Sequence, residues 1–414
     1  MTNSDHSSSY PSAFPFGYCT NVHAGTTLAQ AKTNLLHFAS PVAQSLSING
    51  SLPLGLWLAE DAATALDAPG EAEAFRDWLR ENHFSAYTLN GFPQGDFHQS
   101  VVKHAVYEPT WLSPSRLNYT FSLARVLSRL LPENALGSIS TLPLGWPHFP
   151  WSEDDFAMAA SKLLKLANEL ERLHHETGRE IVVAIEPEPG CVLNTAPEIV
   201  QFFENYIFRS SDSKAARRYL SVCHDICHSG VMFEPQQEAL ASYLDAGIRV
   251  GKVQVSSAVH VPWENCSTAE ESQAVLEQLQ TFNEPKYLHQ ATRCGPNGRL
   301  KELCDDISFA LQNWIRTTPE HNWRVHFHVP IFVLEFGSLA TTQSDITEAT
   351  AFLESNKAQQ VADTNWFTGH YEVETYAWPV LPESLAANDL SEGITRELRH
   401  FQAILNSQHS KSEP

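Results

Sequence analysis

Basic residues are scarce in this 414-residue chain: 27 Lys and Arg stand against 48 Asp and Glu, a formal net charge of −21. A surface that negative repels nucleic acid and anionic membrane, so neither is an expected partner. Long apolar runs are missing as well. None approaches the ~20 residues of a membrane-spanning helix, and the opening MTNSDHSSSYPS lacks the apolar stretch of a secretory signal. No Gly-rich phosphate loop follows the first strand-like run, which disfavours a dinucleotide-binding fold. Cysteine amounts to seven scattered residues, Cys19, Cys191, Cys223, Cys227, Cys266, Cys294 and Cys304. Cys223 and Cys227 have no second pair at zinc-finger spacing, so the expectation is reduced, buried thiols in a cytoplasmic protein.

What is there is apolar and periodic. With 43% hydrophobic residues the chain supports a large core. Eight strand-like runs follow one another: FPFGYCTNVH (14–23), PLGLWLA (53–59), FSAYTLNGFPQG (84–95), ALGSISTLPLG (135–145), EIVVAIEPEPG (180–190), YLSVCHDICHSG (219–230), IRVGKVQVSSA (248–258) and HYEVETYAW (370–378). Helix-period segments lie between them at 27–46, 71–82, 113–131, 152–178, 196–208 and 235–247, with further ones at 302–315, 344–356 and 390–405. The clearest is capped by Ser152 with Asp155 three residues on and stops at Gly178. Runs such as IVVAI and LSV show no polar alternation, as expected of strands covered on both faces.

Eight alternating strand–helix units predict a parallel (β/α)8 TIM barrel. Residues 1–13 read as a flexible leader, 14–405 as one barrel domain and 406–414 as a polar tail. The stretch 259–343, between strands seven and eight, is too long for a connection and is expected to cap the barrel mouth. Within it, YLHQATR reads as helical and places His289, Gln290 and Arg293 on a helix, while HFHVP reads as a strand with His326 and His328 on one face.

Chemistry in such a barrel sits where the C-terminal strand ends converge. Those ends carry Glu186, Asp225, Gln254 and Glu374 on four neighbouring strands, which lie about 4.8 Å apart. Period-two alternation points Glu186, Asp225, Gln254 and Glu374 inward and turns His224 toward the helices. Carboxylates that close cannot all ionise without a cation. Two or three carboxylates and an amide favour Mg²⁺ or Mn²⁺, with Zn²⁺ and Co²⁺ as alternatives. Glu186 and Glu374 would then be the paired acid and base. His23 and Asn21 close strand one and are expected in the pocket floor; Arg293 is a candidate clamp for an anionic substrate group; Glu188 is left open between ligand and loop residue.

The segments AIEPEPG, CHDICH, KVQVSSA, HVP and VETYAW together resemble the xylose-isomerase-like TIM-barrel superfamily over residues 14–380. That group includes sugar isomerases, keto-sugar epimerases, hydroxypyruvate isomerase and endonuclease IV. More narrowly, CTNVH, NGFP, YLHQ, HFHVPIF and EVETYAW resemble the metabolite traffic protein EboE family, from a bacterial gene cluster linked to traffic of a metabolite precursor. The resemblance implies a divalent metal on Glu186, Asp225, Gln254 and Glu374. His228 would then back the ligands or touch substrate, as would His328 and His326. Gln254 departs from the histidine that many members carry, though hydroxypyruvate isomerases use glutamine there. It also implies a small polar metabolite as ligand, isomerase or epimerase chemistry or a non-catalytic traffic role, and other proteins of the same traffic system as partners. An endonuclease-like activity would need a basic DNA face, against which −21 argues.

Overall fold

The computed structural model describes residues 16–409 apart from 49, 211–212, 315–320 and 388. The expected leader therefore lies outside the described residues. Eight parallel strands close a barrel: β1 (Gly17–Cys19), β2 (Leu52–Trp57), β3 (Phe84–Asn90), β4 (Leu136–Thr141), β5 (Glu180–Ile185), β6 (Leu220–Asp225), β7 (Val250–Val255) and, after a long insert, β16 (Tyr371–Val373). Strand β16 pairs with β7 on one side and with β1 on the other, so the last strand completes the ring. The buried runs 181–185 in β5 and the whole of β6 and β7 match the unalternating apolar sequence. This is the expected TIM barrel.

Local signals place the helices around it. Ser152 accepts the Asp155 N–H at 3.2 Å while Asp155 accepts the Ser152 N–H at 2.9 Å, and Glu153–Thr177 runs from that box to Gly178 at φ +69°. Its stripe of Leu163, Leu166 and Leu170 is fully buried, each worth about 1.5–3 kcal/mol of transfer free energy. The segment 27–46 is not one α-helix: a π-helical turn, Leu35–Ala39, separates Leu28–Asn34 from Ser40–Ser45. Pro41 lacks an N–H to continue the ladder, which is the local reason for the wider turn. The closing helix reaches His409, so the described part of the expected polar tail, 406–409, is helical.

The insert folds as a second, antiparallel sheet of β8 (Val259–Val261), β9 (Ala291–Cys294), β10 (Leu300–Cys304), β11 (Trp323–Val325), β12 (Glu335–Phe336) and β13 (Leu339–Thr341), in the order β10-β9-β11-β8-β13-β12. A small hairpin of β14 (Gln360–Val361) and β15 (Thr364–Asn365) precedes β16. The expected helix at YLHQATR is strand β9. Alternation in ATRC puts Arg293 opposite Glu302 of β10, and cross-strand pairing outweighs a short helical pattern. HFHVP is not a strand either. Strand β11 ends at Val325, and His326 to Pro330 continue without strand pairing, held by His326 N–H to Gln290 O (2.8 Å) and Val329 N–H to Ser257 O (2.9 Å). The sheet has its own apolar core, with Trp263 and Trp314 packed on Trp323 at ring distances of 5.1 and 5.2 Å. It meets the barrel loops through Val102 N–H to Lys286 O (2.7 Å).

Candidate metal centre at the barrel mouth

Register brings the strand ends together. Asp225 of β6 is paired with Gln254 of β7, and Gln254 with Glu372 of β16; Glu374 follows two residues later. Glu186 sits one residue past β5, fixed by its N–H to Thr141 O (2.9 Å). One carboxylate oxygen each of Glu186, Asp225 and Glu374 lies within 4.8 Å of the others, and all three residues are buried.

Each carboxylate has a distinct support. Glu374 Oε1 accepts from Asn21 Nδ2 (2.6 Å) and Asn90 Nδ2 (3.1 Å). Asp225 is the N-cap of a six-residue helix, Ile226–Val231; its Oδ1 accepts the His228 N–H (2.9 Å) and the Ser256 hydroxyl (2.7 Å). That cap places His228 one turn on, facing the same space. Glu188, two residues beyond Glu186, accepts the Tyr107 hydroxyl (2.5 Å).

Burial, and then the charges of Glu374 and Asp225, push the Glu186 carboxyl well above its ordinary range. Burial followed by the Asp225 charge pushes Glu374 up to about 8. Burial acts on Asp225 in the same direction, but the nearby imidazoles of His228 and His328 and its hydrogen bonds outweigh it, so its carboxyl is held low. One charge is thus kept while its two neighbours resist ionisation.

Three histidines complete the wall. His228 Nδ1 donates to Pro187 O (2.7 Å), and His328 Nδ1 donates to Glu374 O (2.8 Å). Gln290 aims its amide NH₂ at Pro189 O (2.9 Å), so its Oε1 accepts from His326 Nδ1 (2.7 Å). With Nδ1 committed to donating, a neutral imidazole presents a lone pair at Nε2. When both rings are neutral, His228 and His326 oppose two Nε2 lone pairs across 3.1 Å, and a proton on His228 turns the contact into a hydrogen bond. His228 Nε2 is 3.8 Å from Asp225 Oδ2. Asp225, His228 and His328 form a second close donor group, and Cys227, His326 and His328 a third.

These residues fit a cation. Glu186 Oε2, Asp225 Oδ2, His328 Nε2 and both amide atoms of Gln254 are buried without a hydrogen-bond partner, an arrangement that costs about 1–3 kcal/mol per neutral group and more for a charged one. Below them a lysine already supplies one charge. Lys252, two residues before Gln254, pairs with Glu372 Oε2 at 2.9 Å with both side chains fully buried. Burial disfavours its ammonium, but the Glu372 charge holds it protonated. In sequence Lys252 reads as a break in an apolar strand, and only its partner explains it.

Two expected site residues, His23 and Arg293, lie away from the mouth cavity. His23 bonds the Tyr18 hydroxyl (2.9 Å) and stacks on Phe38, and it lines a separate hollow behind strand β2 rather than the mouth. Arg293 pairs with Glu302 and lies over the Trp314 ring (5.1 Å), among the insert residues. Gln254 is buried at the meeting of β6, β7 and β16, beside the carboxylates in register. Asn21, His228, His326 and His328 line the mouth cavity with Glu186, Glu188 and Glu374. Asn90 and Tyr107 are not singled out as site residues by the sequence, whereas Gln290 is a candidate there on an expected helix. The NGFP and YLHQ segments were the signal for two of them. His224 turns outward as expected and bonds Gln236 Oε1 at 2.7 Å.

No family model matches the sequence, and no curated protein matches it. Solved structures do match in fold. A xylose isomerase-like TIM barrel protein from Mycobacterium smegmatis, solved in complex with magnesium, aligns over 96% of this chain and 98% of its own at 9% identity, with a TM-score of 0.51. An IOLI protein solved with a bound zinc atom aligns over 95% of this chain and 98% of its own at 10% identity, with a TM-score of 0.46. The chain has the fold of xylose isomerase-like TIM barrels.

Proposed function

We propose that this protein is a metal-dependent isomerase or epimerase acting on a small hydroxy-carbonyl metabolite at the barrel mouth. The observation that carries the reading is the convergence of Glu186, Asp225 and Glu374, with unpartnered buried donor atoms on Glu186, Asp225, Gln254 and His328. Those residues would hold the ion, and the magnesium of the similar Mycobacterium smegmatis structure supports a divalent one. When bound, such an ion polarises a carbonyl oxygen and acidifies the adjacent C–H.

The rest falls to the chain. Glu186 and Glu374, both buried in the cavity lining, would remove a proton from one carbon and return one. Asn21 and Asn90 fix the orientation of the Glu374 carboxylate through its Oε1. Ser256 and the His228 N–H keep Asp225 ionised and in place. The insert closes over the cavity and limits water.

A hand-over role of the metabolite-traffic kind is the second reading. It draws on the mouth itself, where the segments resembling that family supply Asn21, Asn90, His326 and His328 to the same cavity. The test is metal content of the purified protein, followed by exchange of the α-hydrogen of hydroxyacetone into D₂O followed by NMR. Catalysed exchange that falls by about 10²–10⁴-fold in Glu186→Gln supports the enzyme. Metal retention without exchange on any hydroxy-carbonyl probe supports hand-over, and absence of divalent metal binding overturns both.

A further inference from the structure

The lining of the mouth cavity is of two unlike kinds. Its floor holds the carboxylates, imidazoles and the amides of Asn21 and Asn90. Its walls are apolar rings and aliphatic chains. Phe97, Tyr287 and Tyr376 pack on one another with ring centroids 5.1–5.5 Å apart, and Tyr376 reaches His328 at 4.6 Å. Phe92 and Tyr107, 6.1 Å apart, and Val106 line the same cavity.

Two physical arguments follow from that division. A polyhydroxylated chain standing in the cavity would press its upper hydroxyls against these walls, and each one desolvated without a partner costs about 1–3 kcal/mol. Of the wall hydroxyls, that of Tyr107 is already donated to Glu188, and that of Tyr287, buried without a partner, can meet a single ligand group. Charge discriminates as well. Among the described residues that line the cavity, Lys103 is the only Lys or Arg, and its ammonium is 2.6 Å from Asp306. Lys252 lies beneath the floor and is paired with Glu372. Glu186, Glu188 and Glu374 line the cavity, with Asp225 beside them, so one divalent ion leaves the floor with no surplus of positive charge. A ligand with its own carboxylate or phosphate would meet no free cation.

We infer that the ligand is amphipathic: an uncharged head with adjacent hydroxyl and carbonyl oxygens on the floor, and an apolar, aryl-sized body between the aromatic walls. This rests on the metal-site reading above and narrows its substrate class. Free sugars and keto acids fall outside it.

Calorimetric binding to the Mn²⁺-loaded, full-length protein tests it with four probes. Hydroxyacetone and 2-hydroxyacetophenone share a head and differ in body; 3-phenyllactate has the body and an anionic head; xylose has hydroxyls in place of the body. The expected result is 2-hydroxyacetophenone at least tenfold tighter than each of the other three. Val106→Ser, a half-buried wall position, lowers its affinity several-fold and leaves hydroxyacetone unchanged. Xylose or 3-phenyllactate binding as tightly as 2-hydroxyacetophenone, or hydroxyacetone and 2-hydroxyacetophenone binding alike, overturns the inference. Mn²⁺ loading is measured first. Failure there overturns the metal reading, whereas normal loading with the wrong ligand order overturns the ligand class alone.

Discussion

His228 and His326 meet Nε2 to Nε2 at 3.1 Å, each with its Nδ1 already donating, to Pro187 O and to Gln290 Oε1. Two facing acceptors repel unless a proton or a metal ion lies between or beside them. A shared proton or a bound cation would each relieve the contact. Replacing His326 with Gln provides an NH₂ that can donate to His228 Nε2. The metal-free variant should melt no lower than the parent protein. Its stabilisation on adding Zn²⁺, read from the rise in melting temperature, should be smaller, by about 1.4 kcal/mol for a tenfold weaker site. A larger zinc-induced gain would contradict this assignment.

Cys227 belongs to one of the close donor groups, yet burial pushes its thiol well above the ordinary range. A thiol must lose its proton to bind metal. Cys227→Ser should leave metal affinity within about twofold, whereas Asp225→Asn, which removes the carboxylate common to two donor groups, should abolish stoichiometric binding. Inductively coupled plasma analysis of dialysed protein separates the two outcomes.

The ion pair Lys252–Glu372 sits in the barrel centre with both partners fully buried. Removing one partner strands the other, so Lys252→Met should cost about 3–5 kcal/mol in urea unfolding. The double variant with Glu372→Leu should recover part of that loss. Gly55 on β2 matters to the same pair: a Cβ there would lie 2.0 Å from the Glu372 carboxyl carbon. Gly55→Ala should destabilise by about 1–3 kcal/mol through this overlap.

At the opposite end of the barrel, Glu180 joins Arg249 (3.0 Å) and Arg218. Burial raises its carboxyl, but the two guanidinium groups outweigh this and hold it below the ordinary range. A folded-state pKa depressed below the unfolded value of about 4.3 stabilises fully above that value and is lost as pH falls through the folded one. Glu180→Gln should therefore destabilise at pH 7, with the difference from the parent protein shrinking below about pH 4. A gap that widens on acidification would reverse the sign assigned here.

The barrel was legible because strands buried on both faces carry unbroken apolar runs, as in Ile181–Ile185. The carboxylates were legible because strand ends in a parallel barrel share one face, which fixes Glu186, Asp225 and Glu374 before any side chain is placed. The rest depended on contacts remote in sequence. The Ile226–Val231 helix is too short for periodicity to show, yet its Asp225 cap positions His228. ATRC reads as helix in sequence because it is four residues long and gains its strand state from neighbours on both sides. Arg293 and His23 were misplaced for the same reason: the Glu302 and Tyr18 partners that draw them away are set by tertiary structure.

The bond from Asn21 Nδ2 to Glu374 Oε1 spans 353 positions of chain, and it lies just above the β1–β16 pairing that closes the ring. The first and last strands of the barrel thus meet at the carboxylate cluster. Anything that grips Glu374 also grips the seam between the two ends of the fold. Occupancy of the mouth and closure of the barrel become one equilibrium, and slowed amide hydrogen exchange in Gly17–Cys19 on metal loading would report it.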